Sequence, residues 1–306
     1  MTEKLVTNLK MYPFNTTLMG VLKGVADYLG ITISNAWLFG GSGHAFLINI
    51  HDQLCPSGPY CWNPKTFYEL VKNLGIEMTD LGFFSAKSTL EERRNVEGIL
   101  RKSIDAGTPC SLLNMENQLI SGYDETHFMV EQPWPKHDFP PKTLRFGTWE
   151  ELKDEIHINF FTFDKTEKAD DRTVVQGSLS AALDIVRNPE SWRQERYYVG
   201  LQAYDVWLKA IKEGFGASHG NWWNGMVWSE CREMASAYFA EVASKNWGDI
   251  SEETTRLSNQ YKTLSELLNR AKDKQLANDE KVAVLLEARK AEESCINGIE
   301  DLLKMF

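Results

Sequence analysis

Hydrophobic spacing marks the elements of this chain. Leu18, Val21, Leu22, Val25 and Leu29 recur at helical spacing, predicting a short helix with Asn15 or Thr16 as N-cap and Gly30 as its stop. Short apolar pieces at residues 31–33 and 36–39 lead into Gly40-Gly41-Ser42-Gly43-His44, and Ala45 to Ile50 reads as a buried strand. Phe67, Leu70, Val71 and Leu74 predict a helix ending at Gly75, with a strand from Ile76 to Phe84. Ser88-Thr89-Leu90-Glu91 reads as a capping box for a helix to Ala106, stopped by Gly107. Short strands follow at residues 110–113 and 118–121, a turn at Gly122-Tyr123-Asp124-Glu125, and a return strand from His127 to Glu131. The proline-rich run from Gln132 to Pro141 is irregular, and Ile156 to Phe163 alternates as a strand.

A charged stretch from Asp164 to Arg172 marks a boundary, and everything beyond it reads as helix. Leu179, Leu183, Ile185 and Val186 stripe one helix; Tyr204, Trp207, Leu208 and Ile211 stripe the next. A third starts near Asn221 with Val227, Cys231, Met234, Tyr238 and Val242 on one face. Two long polar helices finish the chain, near residues 252–272 and 278–305. The expected division is a mixed α+β domain over residues 1–165 and a helical domain over 166–306.

Composition narrows the partners. A chain of 306 residues can bury a full core, and a net charge of −10 at pH 7 argues against a nucleic-acid ligand, which needs clustered Lys and Arg. No apolar run approaches the ~20 residues of a membrane span, and Met1-Thr2-Glu3-Lys4 opens no secretory signal. Five cysteines without a CxxC pair indicate neither a disulfide framework nor a zinc ribbon. The expectation is a cytoplasmic protein with no membrane partner, no metal and no cofactor.

The N-terminal order has a precedent. A capped helix ends in Tyr28-Leu29-Gly30, and the glycine-rich segment Trp37-Leu38-Phe39-Gly40-Gly41-Ser42-Gly43-His44-Ala45-Phe46 follows. Much later a strand runs into Gly122-Tyr123-Asp124, with a hairpin that ends at Gln132-Pro133. This order resembles the papain-like cysteine peptidase superfamily in its bacteriocin-leader-peptidase form. More closely, it resembles the butirosin biosynthesis protein H family of acyltransferases of natural-product biosynthesis. The resemblance covers residues 1–165, and a helical C-terminal domain also suits it. It implies a papain-like N-terminal domain, acyl- or amide-group chemistry, and a small polar or carrier-linked acyl substrate held in a cleft between the domains.

Carried over residue by residue, the family's catalytic triad is substituted. The nucleophilic Cys falls at Thr17, with Thr16 as the neighbouring alternative; the His falls at Glu116 or Asn117; the third member falls at Gln132. No Cys precedes Cys55, so a small shift in alignment restores nothing. A threonine hydroxyl is not activated by Asn, and Glu is a poor base for an alcohol at neutral pH. What remains is a polar set, Asn15, Thr16, Thr17, Glu116, Asn117 and Gln132, suited to orienting a polar small molecule. The plainer alternative makes Asn15 and Thr16 caps and Gln132 a turn residue.

Other groups add to the candidates. Ser218-His219-Gly220-Asn221-Trp222-Trp223-Asn224 stands at a helix start and suits a ligand clamp in which His219, Trp222, Trp223 and Asn224 take part by stacking, cation–π contact and hydrogen bonds. The alternative is a plug in which both tryptophans bury against the first domain and Asn221 caps the helix. His44, Glu116 and His219 are the candidate acid/base groups once the thiol route is closed. Cys55 and Cys61 flank Pro56–Tyr60 near His44 and His51, where a Cys/His pair could be assembled; Cys110 and Cys231 read as core. No HxxxH or HExxH spacing occurs, and the GGSG run reads as a tight turn. A second function class is a non-catalytic binding or scaffold protein. Its last helix, striped by Leu285, Ala288, Glu292, Ile296, Ile299 and Leu303, would pack within a bundle, dock a partner or form a homodimer.

Overall fold

The structure, a computed structural model, describes residues 3–134, 136–245, 247–248 and 250–306. In chain order its elements are β1 (Lys4–Leu5), α1 (Thr17–Tyr28), α2 (Asn35–Gly41), β2 (Asn49–His51), α3 (Lys65–Asn73), β3 (Ile76–Ser85), α4 (Leu90–Asp105), β4 (Cys110–Leu113) and β5 (Asn117–Tyr123). They continue with β6 (His127–Val130), β7 (Thr143–Arg145), β8 (His157–Lys165), α5 (Asp171–Arg187), β9 (Tyr197–Val199), α6 (Leu201–Lys212), α7 (His219–Ser244), α8 (Ile250–Ala271) and α9 (Asn278–Leu303). The class is α+β, with an antiparallel sheet and a helical C-terminal region. Among the described residues, no helix is long and apolar enough to cross a membrane.

Contacts divide the chain into Met1–Ile33 with Gly75–Lys168, and Ser34–Leu74 with Ala169–Phe306. The second junction lies close to the expected boundary. The difference is residues 34–74, which the sequence reading leaves in the N-terminal domain and which belong with the C-terminal helices. Aromatic packing is the reason. Trp37 meets Tyr238 edge-on, and Phe46 packs on Tyr238, Phe239 and Tyr261, all from α7 and α8.

In the first unit the sheet runs in the order β3-β8-β4-β5-β6-β7, with β1 pairing beside β5, every pair antiparallel. Ile158, Phe160 and Phe163 of β8 and Leu119 and Ile120 of β5 are buried, and α1 packs on β5. On α1, Met19, Val21, Leu22, Val25 and Ala26 are wholly buried, each contributing roughly 1–3 kcal/mol. The helix also buries a face that the apolar stripe does not reveal. Gly20 and Gly24 lie against the lead-in segment, where a Cβ would collide with the backbone carbonyls of Tyr12 and Lys10. The helix stops as expected, with Gly30 left-handed at φ 67°. The capping box of α4 sits one residue later than expected, between Thr89 and Glu92. Strand β7, inside a stretch without a periodic apolar pattern, is not anticipated.

In the second unit α7, α8 and α9 pack on one another, and β2 pairs with β9. Residues 45–50 are all buried, but only Asn49–His51 is strand; left-handed Gly43 feeds a 3-10 turn over His44–Phe46 instead. The reading of everything past residue 172 as helix misses β9, a strand of three residues. The stripe on α9 is occupied within the unit: Leu285, Ala288, Glu292, Ile296 and Ile299 are buried. Leu303, the last member of the stripe, is half-buried. The charged Glu292 belongs in it because buried Arg232 of α7 donates from Nε to its Oε2 at 2.8 Å, and Tyr204 of α6 donates to the same oxygen at 2.8 Å.

Candidate functional site

The β4–β5 turn and the N-terminus of α1 bring three of the sequence candidates together. Thr16 is the N-cap but makes no side-chain capping bond, so Thr17 is the first helical residue. Glu116 precedes β5, at the end of a tight turn closed by Asn114 N–H donating to its carbonyl at 3.2 Å. Thr17 Oγ1 donates to Glu116 Oε2 at 2.8 Å and accepts from Asn117 N–H at 3.1 Å and Asn117 Nδ2 at 3.4 Å. The carboxylate thus lies at the positive end of α1, where a negative charge is favoured. Thr17 is 0% exposed, and Glu116 and Asn117 are buried with it.

This geometry defines what the hydroxyl can do. Its proton is directed at a carboxylate and its lone pairs take up amide protons, so it is held as a satisfied hydrogen-bonding group. Among the described residues no imidazole is bonded to it, and a carboxylate is a weak base for an alcohol at neutral pH. Gln132 is buried but turned elsewhere: its Nε2 donates to the Pro140 carbonyl, while its Oε1 has no partner among the described residues. Gln118 of β5, which the sequence reading passes over, secures the same segment by donating to the carbonyls of Glu131 at 3.0 Å and Pro141 at 2.8 Å. Asn15 is half-buried just before the helix.

His44 is unsuited to acid/base work. It is 1% exposed, ringed by Phe39, Trp62, Phe67 and Trp228, and burial pushes its pKa down to about 3. Its Nδ1 lies 3.6 Å from Cys231 Sγ, and its Nε2 has no partner among the described residues. A neutral imidazole in an aromatic core neither stabilises a thiolate nor meets a substrate. The pairing with Cys231 has no sequence signal, because the two residues share no motif spacing.

The segment at the start of α7 splits by role. Ser218, rather than Asn221, caps the helix by accepting from Asn221 N–H at 3.0 Å. Asn221 accepts from Trp207 Nε1 at 2.8 Å and donates to the carbonyls of Gly216 and Ala271. Asn224 donates to the carbonyls of Cys55 and Gly220 and accepts from Trp228 Nε1. Both are fully buried, so Asn224 is a structural tie. Trp223 is buried within the unit of the C-terminal helices, its Nε1 donating to Tyr60 Oη at 3.2 Å. Only the outer part of the predicted clamp faces solvent: exposed His219 stands 5.3 Å from the half-buried Trp222 ring, with Lys274 Nζ 5.3 Å over that ring.

Cys55 and Cys61 are half-buried, and among the described residues no hydrogen bond joins either to a histidine. His51 Nδ1 instead accepts from Gln53 N–H. Burial pushes the Cys61 thiol above its ordinary range, the reverse of an activated nucleophile. Among the described residues, no three His, Cys, Asp or Glu side chains are grouped to hold a metal ion. With this geometry in view, comparison with protein-family models and with curated proteins finds no match for the chain.

Proposed function

We propose that the chain is a non-catalytic relative of the butirosin biosynthesis protein H-type acyltransferases, with a papain-like first unit. It binds an amide-bearing small molecule, of the kind that a pantetheine-linked acyl group represents, without turning it over. The observation that carries this reading is the engagement of Thr17 by Glu116 and Asn117, at the positions where the resemblance would have a thiol and an imidazole. A side chain satisfied on all sides holds geometry; it does not attack a carbonyl. Gln132 Oε1 supplies the recognition element. A buried acceptor without a donor costs about 1–3 kcal/mol, which a ligand N–H recovers on binding. An amide offers that N–H, whereas a simple ester does not.

Calorimetric titration of the full chain with acetyl-pantetheine and with N-acetylglycinamide tests the reading. The expected result is saturable binding, weakened about tenfold or more in Gln132→Leu as one hydrogen bond is lost, with both probes recovered intact. Equal affinity in Gln132→Leu and wild type, no binding of either probe, or release of free acetate would each reject it.

A further inference from the structure

The loop from Asp52 to Trp62 holds two thiols at one hydroxyl. Ser57 Oγ donates to Cys55 Sγ at 2.8 Å and shares a 2.8 Å hydrogen bond with Tyr197 Oη. The Cys61 amide donates to the Ser57 carbonyl at 3.2 Å, which holds its thiol near the same two hydroxyls, Ser57 and Tyr197. One turn of the loop therefore brings both cysteines to Ser57. Buried amides fix the backbone on both sides: Asn49 Nδ2 donates to the carbonyls of Gly58 and Cys61 at 2.7 and 2.9 Å, and Asn224 Nδ2 donates to the Cys55 carbonyl at 3.1 Å. The other three cysteines, Cys110, Cys231 and Cys295, are buried, so reagents in solution meet the loop pair first.

We propose that Cys55 and Cys61 form a redox-modification site, a dithiol that closes to an intramolecular disulfide by exchange with a small disulfide such as oxidised glutathione. The Cys55 thiolate attacks one sulfur of the small disulfide; that S–S bond breaks, and the departing small thiolate takes up a proton equivalent to the one Cys55 lost. The Cys61 thiolate then attacks Cys55 Sγ in the mixed disulfide and expels the second small thiol, which takes up the other proton. Two protein thiols are oxidised, and one small disulfide is reduced to two thiols. Cys55 is the first attacker because burial raises the Cys61 thiol and lowers its thiolate fraction at neutral pH. Closure crosslinks the turn that carries Tyr60, the partner of Trp223.

The test is to equilibrate the full chain in reduced and oxidised glutathione buffers, trap free thiols with iodoacetamide, and map the peptides without reduction. A crosslinked Cys55–Cys61 peptide is expected in the wild type, with glutathione trapped on Cys55 in Cys61→Ser. Cys110, Cys231 and Cys295 should react with iodoacetamide only after unfolding. Glutathione adducts on Cys55 or Cys61 of the wild type at equilibrium without a crosslink would overturn the proposal. So would two loop thiols that stay free in a strongly oxidising buffer.

Discussion

At the scale of single residues, a side chain's chemistry depends on its surroundings more than on its type. His44 sits in a glycine-rich segment and reads as available, but the rings that enclose it come from Phe39, Trp62, Phe67 and Trp228. No local pattern announces that three of these four converge from outside its own segment. The consequence is a defined pH dependence. In the fold its pKa is about 3 and in the unfolded chain about 6.5, so below pH 6.5 the unfolded state binds a proton that the folded state refuses. The stability tied to neutral His44 is intact above that value and falls by up to about 1.4 kcal/mol per pH unit as pH drops from about 6.5 toward about 3. Urea unfolding across this range should show a shallower acid limb in His44→Gln than in wild type. Parallel limbs would place His44 in contact with water. The sequence reading expects Asn15, Thr16, Thr17, Glu116, Asn117 and Gln132 to converge; hydrogen bonds join Thr17, Glu116 and Asn117, while Gln132 donates to the Pro140 carbonyl instead.

At the scale of elements, apolar periodicity located most long segments, including α3, α4, β3, β8, α8 and α9. It failed where burial is carried by something other than an apolar stripe. Gly20 and Gly24 let the lead-in backbone approach α1, and a glycine pair has no hydrophobic signal. Glu292 interrupts the stripe of α9 because its partners, Arg232 and Tyr204, lie on α7 and α6. Arg232 also donates from Nη1 to the carbonyls of Ala45 and Leu47 at 2.9 and 2.8 Å, joining α7 to the segment before β2. Removing one member of a buried pair leaves the other charge uncompensated, at a cost of about 3–5 kcal/mol. Arg232→Met and Glu292→Met should each lower the midpoint of denaturation strongly, while the double variant should lose less than the two single losses added together. Additive losses would show that the two charges do not stabilise one another.

At the scale of the whole molecule, the chain leaves the sheet-containing unit after Ile33 and returns to it at Gly75. The sequence marks the charged crossing near residue 168 but not this excursion, since α2 and α3 read as ordinary continuations of an N-terminal domain. The allegiance of α2 and the segment after it is decided by Tyr238, Phe239 and Tyr261, roughly 200 positions later and beyond the reach of any local pattern, while α3 packs on α5. In the first unit Thr17 Oγ1 is engaged by Glu116 and Asn117, and the proposal is that this cluster holds geometry and is not a nucleophilic site. The most direct measurement is to expose the full chain to p-nitrophenyl acetate and to a fluorophosphonate probe, then locate any adduct by peptide mass mapping. Thr17 is expected to remain unmodified, with a peptide mass identical to that of untreated protein. An acyl or phosphonyl group on Thr17, lost in Glu116→Gln, would contradict it.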